Sequence, residues 1–244
     1  MRYNRNFYSD RELGSSNSAI EILQELQKHY KFQSFLDVGC GNGAWSKAYS
    51  ELCNDNYIGI DGSYVLETNK LLIPVEKFIA KDLKKGFDLN SKFHLVISME
   101  VAEHLPESSA DIFIESLVNH GDVVLFSAAI PNQQGTDHVN EQWQSYWIKL
   151  FDKNNYRAID ILRDSIWDNS KIDAWYRQNT ILFIRKDSND LQRLFANYVP
   201  KYNPDRIHPD MYNYYVYKSN RLDSIKETIL FMLYRLKVFL KNIF

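Results

Sequence analysis

The chain has 244 residues, of which 45% are hydrophobic, 25% charged and 14% aromatic. That is a globular composition, long enough for one domain with an appendage, and it excludes disordered, collagen-like and disulfide-stapled chains. A net charge of −2 gives no global reason to expect a nucleic-acid partner, and no stretch approaches the ~18 apolar residues of a membrane-spanning helix.

The first 18 residues, MRYNRNFYSDRELGSSNS, lack the apolar core of a signal peptide. The two cysteines, Cys40 and Cys53, make neither a disulfide framework nor a metal-ligand pattern. Together these predict a reducing, cytoplasmic compartment. Residues 18–30 place Ile20, Leu23 and Leu26 on one helical face. FLDV (35–38) predicts a short buried strand. Three glycines follow it at alternate positions, Gly39, Gly41 and Gly43. Glycine loses most freedom on folding, so this cluster implies a sharp turn and a ligand lying against bare backbone.

GNGAWSKAYSELC (41–53) opens a helix, and YIGID (57–61) is a second strand ending on an acid. KFIAKD (77–82) is a third with the same ending, and FHLVISM (93–99) a fourth. Then come a helix at 109–120, a strand at 122–131, a helix at 138–155, and strands at 159–162 and 180–185. Strands alternating with helices predict an α/β fold with a parallel, doubly wound sheet, whose ligands bind at the carboxyl ends of the strands. Asp61, Asp82 and Glu100 stand at those ends, beside the glycines.

The glycines are spaced G-x-G-x-G, not G-x-G-x-x-G, and Asp37 precedes them. An acid at the loop suits a ligand with a positive centre and an ammonium group better than a pyrophosphate. Asp61, 18 residues beyond Gly43, is placed to hold ribose hydroxyls. The run D-x-G-x-G-x-G, with acids closing the second and third strands, resembles the class I S-adenosylmethionine-dependent methyltransferases over residues 18–186. That resemblance implies a Rossmann-like, seven-stranded methyltransferase sheet that binds S-adenosyl-L-methionine. It implies a cofactor site of Asp37, Gly39, Gly41, Asp61, Asp82, Leu83 and Met99. Asp37 and Gly39 would meet the amino-acid end, Asp61 the ribose, and Asp82 with Leu83 the adenine.

A second constellation lies in SMEVAEHLPE (98–107) and AAIPNQQGTDHVNEQW (128–143). Glu100, Glu103 and His104 come from the first, Asp137, His138 and Glu141 from the second. In many metal-free members of the family such residues only cap the loop and position the cofactor. More loosely, the two segments resemble the plant-type small-RNA 2′-O-methyltransferases. That resemblance implies a divalent metal (Mg, Mn or Zn) on Glu100, Glu103, His104 and His138. Either way, an oxygen acceptor needs its proton removed, which makes His104 and His138 the candidate catalytic residues. Trp143, Trp147 and Trp175 are candidate stacking platforms for a sugar, against packing as the ordinary role of such rings.

SAAIP…TDHVNEQW is similar to methyltransferases of bacterial surface-polysaccharide pathways. The expected reaction is therefore O-methylation of a sugar hydroxyl in capsular, O-antigen or lipooligosaccharide synthesis, on a sugar, sugar-nucleotide or glycan acceptor, with no nucleic acid expected. The alternatives are a metal-dependent RNA ribose 2′-O-methyltransferase and a cofactor-binding scaffold without catalysis. The methyltransferase domain is expected at 1–190 and a C-terminal extension at 191–244, ending in a basic, amphipathic helical tail. Such a tail predicts either a homodimer contact or peripheral attachment at the inner face of a membrane.

Overall fold

The computed structural model describes residues 5–68, 70–199 and 203–241. The chain divides into two units, one up to Arg206 and one from Ile207 onward. In the first unit a seven-stranded sheet comprises β1 (Phe35–Val38), β2 (Tyr57–Asp61), β3 (Phe78–Ala80), β4 (Leu95–Met99), β5 (Val123–Ser127), β6 (Tyr156–Ile159) and β7 (Ile181–Arg185). Its helices are α1 (Arg5–Gln27), α2 (Ala44–Leu52), α3 (Tyr64–Glu67), α4 (Ala110–Val118), α5 (Gln144–Lys153), α6 (Leu162–Ile166), α7 (Ala174–Asn179) and α8 (Asn189–Leu194). The second unit holds α9 (Pro209–Lys241). Among the described residues no helix is long and apolar enough to cross a membrane.

The strand order is β3-β2-β1-β4-β5-β7-β6. All neighbours pair in parallel except β7, which runs antiparallel to both β5 and β6. Strand–helix alternation does not encode the direction of a strand inserted last; the doubly wound, seven-stranded Rossmann-like sheet is the one expected, with β7 reversed. The two faces follow the period of two of a pleated strand. Leu95 and Ile97 of β4 join Leu23, Leu26, Trp45 and Tyr49 on one side, whereas Val96 joins Phe113, Leu117 and Phe151 on the other.

Three elements differ from the sequence expectation. Helix α1 begins at Arg5, well before the apolar periodicity starts. Strand β6 ends at Ile159, and residues 160–162 turn away because Arg163, fully buried, takes both oxygens of Asp160 at 2.8 and 2.5 Å. Helix α5 starts at Gln144, so His138 lies in a loop before it. There the amides of Val139 and Asn140 both donate to the Glu103 carbonyl, at 2.8 and 3.0 Å. Those two amides would be free even at a helix start, but Gln142 N–H, which a helical turn from His138 would bond to that residue's carbonyl, donates to Ala129 O at 3.1 Å instead. The two bonds to the Glu103 carbonyl also carry His138 to Glu103 and His104.

Candidate active site

The switch point between β1 and β4 opens a cavity of about 850 Å³ at the carboxyl edge of the sheet. Of the residues expected to hold a cofactor, Gly39, Asp61, Asp82 and Leu83 line it. The chain leaving β1 is tied across to β2: the amides of Gly39 and Cys40 donate to the Ile60 carbonyl at 2.8 and 3.1 Å. Gly41 N–H donates to Asp61 Oδ2 at 2.7 Å.

All three clustered glycines have left-handed φ, at 78°, 53° and 87°. Their surroundings differ. A Cβ on Gly39 would lie 2.4 Å from Val101 Cγ2, and one on Gly43 would lie 2.9 Å from Ile73 Cγ1. A Cβ on Gly41 would meet nothing within 4 Å. Two glycines therefore serve close packing of the loop, and Gly41 faces open space.

Asp61 is buried and fully engaged. Its Oδ1 accepts from Gly62 N–H at 2.6 Å and from the Tyr64 hydroxyl at 2.7 Å, while Oδ2 holds Gly41. The Tyr64 ring lies over Gly62, where an added Cβ would be 2.2 Å from Cε1. Asp37 is buried below the loop, its Oδ2 accepting from Ser46 N–H at 3.1 Å and Ser46 Oγ at 2.8 Å. Burial pushes its pKa up to about 7, against the pull of the two Ser46 bonds. Asp82 is half-exposed and caps the 3₁₀ turn Leu83–Lys85 by accepting from Lys84 N–H at 3.2 Å. Leu83 is buried at the cavity wall, and Met99 is buried at the end of β4.

Glu100, His104 and Asp137 line the same cavity from the other side. Glu100 has φ 57°, a strained conformation for a non-glycine residue. Its amide donates to both Ser127 O and Ser127 Oγ at 3.0 Å. Its carboxylate is clamped by two carboxamides, Gln133 Nε2 at 2.8 Å on Oε2 and Asn179 Nδ2 at 3.0 Å on Oε1. Asn179 Nδ2 also donates to Gln133 Oε1 at 2.9 Å, closing the clamp.

Glu103, His104 and His138 come together. Each offers one ligand atom, and these atoms lie within 4.8 Å of one another. The two imidazoles meet edge to face, with centroids 4.9 Å apart. Glu100 stands outside this set, held by its amides. Glu103 is 1% exposed, and neither of its carboxylate oxygens has a hydrogen-bond partner. Its pKa is pushed well up, by burial first and then by Glu100, although the nearby amides of Glu103 and Ala129 pull the other way.

His104 has its Nδ1 at 3.3 Å from the Asp137 carbonyl. Desolvation lowers its pKa, and neighbouring His138 adds to that, against the pull of the Asp137 carbonyl. His138 Nδ1 donates to Glu141 Oε1 at 2.8 Å, and Glu141 Oε2 accepts from Asn132 N–H at 2.7 Å. A carboxylate behind an imidazole fixes its tautomer and orientation. Beyond His138 lies a second, open cavity of about 410 Å³, lined by Gln134, Gly135, His138, Val139 and Glu141. The histidine pair thus stands between the two cavities.

Tyr64, Gln133 and Asn179 were missed by sequence reasoning; Tyr64 lies three residues from Asp61 and Gln133 inside the 128–143 segment, whereas Asn179 lies near no motif. Of the tryptophans, Trp147 is buried against Phe126, and Trp143 is partly exposed beside the loop.

Comparison with known proteins agrees with this fold. The fold is shared with magnesium protoporphyrin IX methyltransferase of Synechocystis PCC 6803, solved with bound SAH (TM-score 0.52, 15% identity, 76% of this chain and 89% of that one). It is also shared with the methyltransferase domain of bacterial CtHen1-C (TM-score 0.51, 20% identity, 70% of this chain and 98% of that one). The 235L protein of Invertebrate iridescent virus 6 is 26% identical over 169 residues, 68% of this chain, which spans 61% of that relative's length. A family model of the methyltransferase domain matches residues 11–160. On that match the chain belongs to the class I S-adenosylmethionine-dependent methyltransferases.

Proposed function

We propose that the chain methylates a hydroxyl oxygen of a sugar or glycan, with a divalent cation held by Glu103, His104 and His138. The observation that carries this reading is Glu103. A buried carboxylate with two unpartnered oxygens beside two imidazoles is costly to leave alone, and a cation relieves it. Mg, Mn or Zn each suits carboxylate with imidazole.

S-Adenosylmethionine, when bound, supplies a sulfonium methyl group that is already electrophilic. The chain's own residues then have to orient the acceptor and take its proton. A cation at this site would lower the pKa of a hydroxyl presented to it. His104 opens on the cofactor cavity; engaged with the cation it holds the metal, and its free ring nitrogen is the proton acceptor only where no cation is bound. His138 is oriented by Glu141 and faces the second cavity. The acceptor enters from that cavity, whose polar lining of Gln134, His138 and Glu141 suits a polyhydroxylated ring. Cys40 and Cys53 are free thiols, which fits a reducing cytoplasmic setting.

The second reading, an RNA ribose 2′-hydroxyl, rests on the resemblance of the two loop segments to small-RNA enzymes. The test is transfer from labelled S-adenosylmethionine to nucleotide sugars, cell glycans, and RNA with 3′-terminal ribose or 2′-deoxyribose, before and after chelation. The reading expects label on sugar hydroxyls that is lost on chelation and restored by one of the three cations. Label on ribose-ended RNA alone selects the second reading. Label unaffected by chelation removes the cation. His104→Ala and His138→Ala should each lower turnover about 10²-fold or more with cofactor affinity nearly unchanged.

A further inference from the structure

We propose that α9 is a membrane-surface helix that docks on anionic lipid. Along it, Ile225, Ile229, Met232 and Leu233 are 49%, 52%, 64% and 57% exposed. They fall at i, i+4, i+7 and i+8, the spacing of a single helix face. Leu236 and Leu240 continue that spacing in the sequence. A contiguous apolar stripe left in water marks an interaction surface, whereas isolated exposed apolar residues need no explanation.

Charge selects the partner. Residues 218–244 carry six lysines and arginines against two acids, a surplus of four positive charges. The remaining 217 residues carry 23 basic and 29 acidic residues, a net −6. Positive charge is therefore segregated onto the segment that also exposes the stripe. Two such helices laid together would bring like charges together, whereas an anionic bilayer surface would neutralise them and take up the apolar face. The helix lies on the membrane and does not cross it, because no helix among the described residues is apolar enough to span.

The test is co-sedimentation of the full chain with vesicles of phosphatidylcholine alone and with added phosphatidylglycerol. Binding is expected only to the anionic vesicles, with loss at about 0.5 M salt, where screening is nearly complete. Ile229→Asp with Leu233→Asp should abolish binding. Arg235→Gln with Lys237→Gln and Lys241→Gln should weaken it about ten-fold or more, since each basic residue near the surface contributes. Both variants should keep wild-type affinity for S-adenosylhomocysteine, whose site lies in the other unit, which separates a docking defect from a folding defect. Failure of the wild type to bind, or binding that survives both variants, overturns the proposal. So does a wild-type dimer without vesicle affinity that Ile229→Asp with Leu233→Asp splits into monomers; that outcome gives the stripe to a second copy.

Discussion

The two sides of the main cavity are built on opposite principles. On the cofactor side, Asp61 is saturated by three donors and Asp37 is bonded twice to Ser46. On the acceptor side, Glu103 is as deeply buried as Asp37 and has no hydrogen-bond partner for either oxygen. Buried polar groups in native proteins are nearly always paired. The carboxylates of the cofactor side are therefore satisfied by the chain itself, and on the acceptor side Glu103 is the group that the proposed cation would satisfy.

The cofactor side is broken most severely at Gly39. Gly39→Val places a branched side chain against Val101, where even a Cβ would be 2.4 Å away, at a φ of 78°. Overpacking and left-handed strain together cost about 2–5 kcal/mol. Thermal unfolding should show a large loss of stability, and calorimetry no binding of S-adenosylhomocysteine. Gly41→Ala meets no neighbour and should cost only the left-handed strain, about 1–2 kcal/mol. Equal losses of stability in the two variants would mean that contact with Val101 does not fix the glycine at 39.

The unpartnered Glu103 is tested by adding a cation. A cation present at 100 times its dissociation constant stabilises by about 2.7 kcal/mol, raising the melting temperature by about 2–4 °C per kcal/mol in a chain of this size. Mn²⁺ or Zn²⁺ should raise the melting temperature of the wild type and leave Glu103→Gln unmoved. An equal rise in both would place the ion elsewhere.

The contrast sharpens further at Asp37, the buried carboxylate on the cofactor side. Its folded pKa of about 7 lies above the ordinary 3.8. Its stabilisation is therefore whole below about pH 4 and is lost as pH rises toward 7. Asp37→Asn still has an oxygen to accept the Ser46 bonds, and its melting temperature should fall less between pH 4 and 7 than that of the wild type. Parallel pH profiles would show that the carboxyl stays ionised in the fold.

Much of this contrast was legible from residue order. The ends of β1, β2 and β4 each carry a glycine or an acid that reaches the cavity, because a parallel sheet delivers all such ends to one edge. What was not legible is long-range. The clamp on Glu100 joins residues 33 and 79 positions away, and no local periodicity encodes that. His138 reads as helical from its neighbours, yet its loop is fixed by the Glu103 carbonyl. The sequence also shows three glycines as one motif, although Val101, Ile73 and open space give them separate reasons to be glycine.

Tyr64 is the smallest lever and bears on whether the cofactor side is complete or merely closed. Its hydroxyl sits 2.7 Å from Asp61 Oδ1, which already accepts Gly62 N–H. A vicinal diol reaching across the carboxylate needs a site on each oxygen, so one of its hydroxyls meets the phenol's position. The ring is held only from one side: it is 63% exposed and rests on Gly62. Swinging it out therefore costs little beyond the hydrogen bond. A bond of this kind contributes about 0.5–1.5 kcal/mol net, so its removal is worth roughly two- to ten-fold in affinity. Tyr64→Phe should therefore bind S-adenosylhomocysteine about two- to ten-fold more tightly in a calorimetric titration, with Asp61→Ala as the variant that loses binding. A comparable loss of affinity in Tyr64→Phe would reverse the assignment. The phenol would then be holding Asp61 in place for the ribose, and the saturation of that carboxylate would be part of the binding geometry itself.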